Sequence, residues 1–221
     1  FYDVDATAAA VAGGEAMERG DFATGFYEAS IRRNPDRIQV LLSRVGNVWG
    51  IPLKLSKAVT LSAGSDTLEI GYKLEGLPAD FCQHLAVEFN FAGLPSDAAG
   101  RCFRNGDGHD LGQLGSRLDL KEVSQLSLED DWLDIRATLN CQVASNGGLA
   151  GVWTFPIESV SQSEGGFELV HQSVVVMPHW IVTPDASGCW QVVLSLTAGS
   201  LATAAAPADA ARAAAKLRTG A

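Results

Sequence analysis

The chain has 221 residues, 47% of them hydrophobic, and a formal net charge of −10. This length and apolar content are sufficient to bury a substantial core as one main domain. The acidic balance argues against a nucleic-acid partner, because phosphate binding needs clustered Lys and Arg, and no apolar run approaches the roughly 18 to 20 residues that span a bilayer.

Alanine-rich segments lie at both ends of the chain. Residues 6–20 are interrupted by Gly13 and Gly14, which predicts a short, weak helix or a linker. We therefore expect a linker or short helix at residues 1–20, a β-sandwich domain at residues 21–198 and an Ala-rich tail at residues 199–221. An isolated helix as short as the tail is marginal in water, so we expect a frayed end or a helix laid on the β-domain, and we assign it no function.

Strand patterns fill the middle of the chain. The Asn-Pro-Asp turn at residues 34–36 predicts a hairpin between strands at 27–33 and 37–44. A second pair of strands is predicted on either side of the turn at residues 64–66, because apolar residues there alternate with polar or small ones with period two. Further strands are predicted at residues 85–91, 118–123, 126–128, 133–139, 151–157, 167–177 and 190–196. Strands at this spacing, with almost no helical periodicity, predict an all-β fold, an antiparallel β-sandwich.

Residues 93–115 form the longest stretch without a strand pattern, and we interpret them as an irregular loop. Within it, residues 105–110 (NGDGHD) place oxygen ligands at alternate positions, as the start of a calcium loop would. The glycine expected at the sixth place is Asp110, and the glutamate expected at the twelfth is Ser116. We therefore predict a solvated turn and no metal site.

The segment from residue 152 to residue 180 (VWTFPIESVSQSEGGFELVHQSVVVMPHW) carries aromatics, carboxylates and two histidines around a polar turn. Trp153 and Phe155 alternate with small or polar residues as in a strand, and Pro156 fits an edge or a strand end. A hairpin here would present polar side chains beside Trp153 and Trp180. Flat apolar faces next to hydrogen-bonding groups are what carbohydrates need. The alternative is that the tryptophans are core and the carboxylates form a solvated turn.

The same segment resembles a known family. WTFPIESVSQSEGGFE, followed by Gln172 and by Pro-His-Trp at residues 178–180, is similar to the signature of the C-terminal β-domain of α-amylase and 4-α-glucanotransferase type enzymes of glycoside hydrolase family 57, with Ser159 where the pattern has Thr. Weaker similarities upstream, in residues 22–27, 28–45, 53–74 and 84–90, follow the order of that domain. The resemblance covers roughly residues 20–197.

The resemblance implies a supersandwich of the galactose-mutarotase type and an accessory role. In such enzymes the catalytic Glu and Asp lie in an N-terminal (β/α) barrel, and nothing in this chain resembles that barrel. The implied partners are therefore the catalytic barrel and an α-glucan or oligosaccharide, with no cofactor. The hairpin pattern and the resemblance together predict a set of carbohydrate-binding residues: Trp153, Glu158, Gln162, Ser163, Glu164, Glu168, Gln172, His179, Trp180 and Asn90.

Two functional hypotheses remain open. In the first, the domain holds or shapes the glucan through an aromatic face, to which Trp49, Trp132, Trp153, Trp180 or Trp190 could contribute. In the second, the motif is an interdomain clamp whose polar residues satisfy one another against the barrel. Solvent-facing tryptophans in a concave surface would favour sugar binding, whereas an open apolar patch would favour the clamp.

Independent catalysis is a less favoured alternative. A mutarotase-like mechanism would use His171 or His179 with Glu168 or Glu158 as acid and base. On alternating strand positions Glu168 and His171 point to opposite faces, which places this pair poorly for joint work. The sequence also lacks the motifs of nucleophilic hydrolases, nucleotide-binding loops and zinc proteases.

The four widely spaced cysteines indicate in which cellular compartment the protein occurs. Cys82, Cys102, Cys141 and Cys189 form no Cys-x-x-Cys pair and have no histidine at metal-ligand spacing. We interpret them as free thiols in a reducing compartment. Together with an N-terminus that lacks the pattern of an export signal, this predicts a cytoplasmic location.

Overall fold

The computed structural model describes residues 1–92, 95–163 and 166–202, and for residue 163 it describes the backbone alone. Within these residues one short helix precedes fourteen strands. The elements are α1 (Ala8–Ala12), β1 (Glu28–Asn34), β2 (Arg37–Val48), β3 (Ile51–Ser62), β4 (Thr67–Glu75), β5 (Gln83–Ala86), β6 (Phe89–Ala92), β7 (Arg101–Asn105), β8 (Asp110–Gln113), β9 (Leu118–Val123), β10 (Gln125–Asp130), β11 (Ile135–Cys141), β12 (Ala150–Ser163), β13 (Gly166–Val182) and β14 (Cys189–Gly199).

The strands form two antiparallel sheets. The larger has nine strands in the order β1-β2-β3-β4-β14-β11-β10-β7-β8. The smaller has the order β5-β13-β12-β9, and β6 also pairs with β13. The prediction of an all-β, antiparallel sandwich fold is therefore confirmed.

Strand β13 contributes to two apolar clusters, because successive side chains point to opposite faces of a sheet. Val174, Val176 and Trp180 pack in the main core between the sheets. Val175 and Met177 point the other way and pack with Trp153 and Phe155 in a smaller cluster. The segment around α1 covers this second face with Ala8, Val11 and their neighbours. The smaller sheet is thus buried on both sides.

The N-terminal residues pack against the domain. Phe1 is buried and contacts the rings of Phe22 and Phe81, with centroids 5.7 and 6.4 Å away. Tyr2 forms an antiparallel bridge with His84. Helix α1 then starts at Thr7, whose Oγ1 accepts a hydrogen bond from the amide of Ala10 at 3.2 Å, the usual role of an N-cap threonine.

Two buried carboxylates end strand β10. Asp130 accepts a 2.7 Å hydrogen bond from Arg101 Nε and 3.0 Å bonds from the amides of Trp132 and Leu133. Burial by itself would raise the pKa of Asp130, but these three donors outweigh it and the pKa is lowered. Its neighbour Glu129 is also buried and pairs with two further arginines. A buried charge is tolerated here because it is paired and hydrogen-bonded.

The prediction of an irregular loop at residues 93–115 is wrong, since β7 and β8 lie inside it. Their pattern is hidden because Phe103 alone is buried in β7 and β8 is a short edge strand. The predicted solvated turn lies between these strands: Asn105 Oδ1 accepts hydrogen bonds from the amides of Asp107 and His109. Residues 93–94 lie outside the described residues, as do residues 203–221 of the predicted tail.

Candidate functional site

A cleft of about 490 Å³ lies beside the smaller sheet. We call it the His84–His179 cleft after the two buried histidines in its lining. Strands β5, β12, β13 and β14 contribute His84, Trp153, His179, Trp180 and Trp190 to it. Residues 4–7, strand β9 and the loop at residues 147–149 complete the lining.

The two histidines are joined directly. His84 pairs with Ile181 in the β5–β13 ladder and His179 pairs with Ala86, so the histidines are diagonal neighbours on one face. His84 Nε2 lies 2.7 Å from His179 Nδ1. Trp153 stacks on His179 with ring centroids 4.0 Å apart and meets the edge of His84 at 4.8 Å.

Both histidines are uncharged near neutral pH. Burial lowers the pKa of His84 to about 4, helped by the positive charges of Lys121 and the N-terminus. Burial likewise lowers the pKa of His179 to about 3, with further contributions from His84 and Lys121. The negative charge of Asp119 raises both pKa values, but by less than burial and the positive charges lower them.

Gly151 makes room for this arrangement. It lies opposite His179 in the β12–β13 ladder. A Cβ at this position would overlap the imidazole ring and would lie 3.1 Å even from its Nδ1. The close approach of the ring to the backbone therefore requires glycine.

Several ring nitrogens around the cleft are buried. Among the described residues, His84 Nδ1, His179 Nε2, Trp180 Nε1 and Trp190 Nε1 have no hydrogen-bond partner. Trp153 differs, because its Nε1 donates to Asp119 Oδ1 at 3.2 Å, and that oxygen also lies 2.7 Å from Lys121 Nζ. The cleft is thus bordered by uncharged aromatic rings, the Asp119–Lys121 ion pair and Glu122.

The aromatic residues predicted for sugar contact are buried. Trp153 is 1% exposed and Trp180 is 4% exposed, so neither offers a face to solvent in this structure. The two point to opposite sides of the smaller sheet, with Trp153 in the outer cluster and Trp180 in the main core. His179 is the member of the predicted set that contacts Trp153.

The predicted polar residues lie elsewhere. Strands β12 and β13 extend into the predicted polar turn and form a long hairpin, paired as far as Ser163 and Gly166. We call residues 157–163 and 166–172 the arm. It carries Glu158, Gln162, Glu168 and Gln172, all exposed. Glu158 is five residues beyond Trp153, about 17 Å along an extended strand.

Two further members of the predicted set need separate mention. Asn90 lies on β6, where its Oδ1 accepts a 3.3 Å hydrogen bond from Ser173 and its Nδ2 donates to Glu88. The side chain of Ser163 and the whole of Glu164 lie outside the described residues. The structure therefore brings Trp153 and His179 together and does not join them to the polar residues of the arm.

One face of the arm, which we call the apolar face, carries three exposed apolar side chains beside Glu158 and Gln162. Val160 lies directly opposite Leu169, and Phe167 is two residues from Leu169 on the same side. The exposed fractions of these three side chains are 66%, 68% and 77%. The opposite face carries Ser159, Ser161, Glu168 and the exposed Val170. Glu168 lies on the side away from His171, as the alternation predicted.

His84 was missed by the sequence interpretation, which named only His171 and His179 as acid–base candidates. The signal that would have found it is the pairing of β5 with β13, which joins residues 95 positions apart in the chain. Periodicity within one segment carries no information on such a partner. Asp119, Lys121 and Gly151 were missed for the same reason.

The described part of the chain contains no group of three or more His, Cys, Asp or Glu side chains placed to hold a metal ion. None of its helices has the length and apolar character needed to cross a membrane.

Comparison with known proteins gives concordant results. The family model described as "Alpha-amylase/4-alpha-glucanotransferase, C-terminal" matches residues 1–194. A 4-alpha-glucanotransferase of Thermococcus kodakarensis is 26% identical over 163 residues, which are 72% of this chain and 19% of that protein. The chain thus spans about a fifth of the curated relative that it matches.

Two solved structures share the fold. The 4-alpha-glucanotransferase from Thermococcus litoralis superposes with a TM-score of 0.63 at 19% identity, over 90% of this chain and 26% of that one. A putative aldose 1-epimerase from Escherichia coli K12 superposes with a TM-score of 0.54 at 11% identity, over 85% of this chain and 73% of that one. At these identities both similarities concern the fold alone.

Proposed function

Because the chain belongs to the family of α-amylase/4-α-glucanotransferase C-terminal domains, we propose that it is a non-catalytic accessory domain of a larger α-glucan-acting enzyme, docked on the catalytic part of that enzyme. The family resemblance stated from the sequence is confirmed. Membership of glycoside hydrolase family 57 and an N-terminal barrel as the docking partner are parts of the proposal.

The observation that carries the docking proposal is the apolar face of the arm. Val160, Phe167 and Leu169 are mostly exposed, although apolar side chains of this size gain roughly 1.5–3 kcal/mol each on burial. They form a contiguous cluster on a hairpin that extends beyond the sandwich. Exposed clusters of this kind mark surfaces that bind another protein or domain.

The lengths of the two relatives indicate which partner the arm would contact. The chain matches 19% of the Thermococcus kodakarensis protein and 26% of the Thermococcus litoralis protein. In both, most of the polypeptide therefore lies outside the matched region. These proportions favour another domain of the same enzyme as the partner. We propose that this domain contacts the arm.

Glucan contact is a second candidate function, favoured by a different observation. Trp132 is 79% exposed on the β10–β11 turn, with the Arg101 guanidinium 5.8 Å from its ring. Trp49 is 55% exposed, and Arg19 covers one face of its ring at 4.0 Å. The free faces of these two indoles could stack on sugar rings. The identity of the glucan and its hydrolysis or transfer by the enzyme concern this second proposal and not the docking proposal.

A mutarotase-like activity is less favoured. Among the predicted acid–base candidates, His179 has a pKa of about 3 and is a poor proton donor near neutral pH. Glu158 and His171 lie directly opposite each other, but on the arm and outside the cleft. A cytoplasmic location remains a prediction that depends on the four cysteines, each unpaired in this structure.

Docking can be tested by mixing the chain with the separately produced catalytic part of the same enzyme and measuring the affinity by analytical ultracentrifugation. We expect the triple variant Val160→Ser, Phe167→Ser and Leu169→Ser to bind about 100-fold more weakly. This assumes that each side chain contributes roughly 1 kcal/mol of burial at the interface.

The matched control changes the other face of the arm. Ser161→Asn with Glu168→Gln should bind as the unmodified chain does, because these side chains point away from the apolar cluster. Equal affinity of the triple variant and the control would contradict the proposed surface. Failure of the unmodified chain to bind at all would contradict docking itself.

A further inference from the structure

A cavity of about 420 Å³ is lined by the N-terminal segment, strands β2 to β4 of the larger sheet and residues 85–88 beside the smaller sheet. We call it the Lys57 pocket after the basic side chain in its lining. We propose that this pocket binds a small organic acid, a molecule with one carboxylate on an apolar body. The pocket shares no lining residue with the His84–His179 cleft, and the proposal does not depend on docking through the arm.

Lys57 interrupts an apolar row on strand β3. Leu53 and Leu55 precede it at alternate positions and are buried in the main core, and Val59 follows and packs against that core. Because successive side chains of a strand point to opposite faces, Lys57 points to the core side of the larger sheet. Lysine is rarely buried unless it is paired. A local departure from the apolar pattern is expected mainly at functional sites.

The ammonium group of Lys57 has no anionic partner. Three other lysines among the described residues, Lys54, Lys73 and Lys121, are exposed and lie 3.9, 2.8 and 2.7 Å from a carboxylate oxygen. Lys57 is half-buried and makes no ion pair or hydrogen bond among those residues, and its Nζ lies 5.5 Å from the centroid of the Tyr72 ring. Burial lowers the pKa of Lys57, and no carboxylate opposes this effect. The lysine least accessible to water is therefore the one that lacks a counter-charge.

Tyr72 supplies a hydroxyl group close to this ammonium. It lies opposite Lys57 in the β3–β4 ladder and lines the same pocket. Tyr72 is 8% exposed, and its hydroxyl has no hydrogen-bond partner among the described residues although the oxygen keeps accessible surface. Burial raises the pKa of Tyr72, so the hydroxyl stays protonated and can donate. A carboxylate has two oxygen atoms and can accept hydrogen bonds from both Lys57 and Tyr72.

The other charged side chains of the lining favour a ligand with a single negative charge. These are Glu18 and Glu88. Both raise the pKa of Tyr2, whereas neither affects that of Lys57. The two carboxylates therefore lie nearer to Tyr2 than to Lys57. A second negative charge on the ligand would be repelled by them, which disfavours phosphates and other polyanions.

Apolar side chains form much of the remaining lining and suit the body of the ligand. The volume lies within the range of roughly 300–1,000 Å³ that is typical of small-molecule sites. Burial of an apolar body against such walls is favourable, while the Lys57 end fixes its orientation. The apolar lining residues include Phe22, Leu42, Leu55, Leu85 and Val87.

The test titrates the chain with phenylacetate by isothermal titration calorimetry, with phenylacetamide as the uncharged molecule of the same shape. We expect saturable binding of the acid at about 0.1–1 mM and about tenfold weaker binding of the amide. Lys57→Met keeps an unbranched side chain without the charge and should weaken binding of the acid about tenfold, and Tyr72→Phe should weaken it about fivefold. Lys54→Met, on the opposite face of the same strand, is the matched control and should leave the affinity unchanged.

Urea unfolding checks that the variants are folded. Lys57→Met should unfold at a urea concentration at least as high as the unmodified chain, because methionine continues the apolar row of β3. Weaker binding by this variant is then a loss of the site and not of the fold. Tyr72→Phe removes one hydroxyl and provides an independent check on the same pocket.

Three results would overturn the proposal. The first is the absence of saturable phenylacetate binding, or equal affinity for the amide. The second is equal weakening by Lys57→Met and Lys54→Met, which would indicate general attraction to surface charge. The third is the failure of phenylacetate to bind together with weaker association of Lys57→Met with the catalytic part of the enzyme, which would assign the pocket to a protein carboxylate. Docking through the arm is measured with its own variants and without phenylacetate, so the two proposals fail separately.

Discussion

Acidification should destabilise the domain in a pH range that is set by its two buried histidines. In the folded chain the pKa values of His84 and His179 are about 4 and about 3, whereas the ordinary value is 6.5. As the pH falls below about 6.5, the unfolded chain takes up two protons that the folded chain does not. The free energy of unfolding therefore falls as the pH falls towards the folded-state pKa values.

The size of the effect follows from linkage. Each histidine that is protonated only in the unfolded state lowers the free energy of unfolding by about 1.4 kcal/mol per pH unit once the pH is well below 6.5. Between about pH 7 and pH 5 each contributes about 2 kcal/mol, so the pair contributes about 4 kcal/mol. Carboxylates with lowered pKa values, such as Asp130, act at lower pH.

The assay is urea unfolding followed by tryptophan fluorescence at several pH values across this range. The variant His179→Phe keeps a ring against Trp153 and leaves His84 as the remaining buried histidine of the pair, so its loss between about pH 7 and pH 5 should be about 2 kcal/mol. His109→Gln, at an exposed turn, is the control and should behave as the unmodified chain. A loss below about 1 kcal/mol in the unmodified chain, or an equal loss in His179→Phe, would refute the reasoning.

Two further substitutions probe the packing. Gly151→Ala should lower the free energy of unfolding by about 1–3 kcal/mol, because the added Cβ would overlap the His179 ring. In the control Gly71→Ala the added Cβ meets no atom within 4 Å, so the free energy of unfolding should change by less than about 0.5 kcal/mol. Equal urea midpoints for the two variants would contradict the overlap. Asp130→Asn should cost about 3 kcal/mol by leaving Arg101 without its charged partner. Because the pKa of Asp130 is lowered by folding, this variant should also lose less stability than the unmodified chain when the pH falls below about 4, and parallel pH profiles for the two proteins would contradict that role.

Local signals in the sequence were sufficient for most of the strands. The Asn-Pro-Asp turn does separate β1 from β2, and the predicted strand at residues 118–123 coincides with β9. These elements succeed because turn residues and period-two alternation are determined within a few positions. β7 failed because its burial pattern has a single fully buried residue, Phe103. A period-two alternation of buried and exposed residues cannot be recognised when a strand has only one fully buried residue.

The site was less predictable than the fold. The sequence identified the motif around Trp153 and His179 but joined it to polar residues that extend away on the arm. The predicted strand at residues 167–177 begins within one residue of β13, but strand alternation could not show that β12 continues to Ser163, because Ser, Gln and Glu there suggested a turn. The contact between His84 and His179 depends on the strand order β5-β13, and strand order is decided by tertiary packing.

Strand β13 has a consequence for how the domain assembles. It is the shared neighbour of β5, β6 and β12, and its two faces belong to different apolar clusters. Leu85 of the main core and Ala86 beside the smaller cluster lie on β5, so the completion of both clusters requires β13 to pair with β5, a segment nearly a hundred residues away in the chain. Contacts of such range are slow to form because a large loop loses its freedom before any packing compensates. The pairing of β13 with β5 thus contributes to both clusters at once.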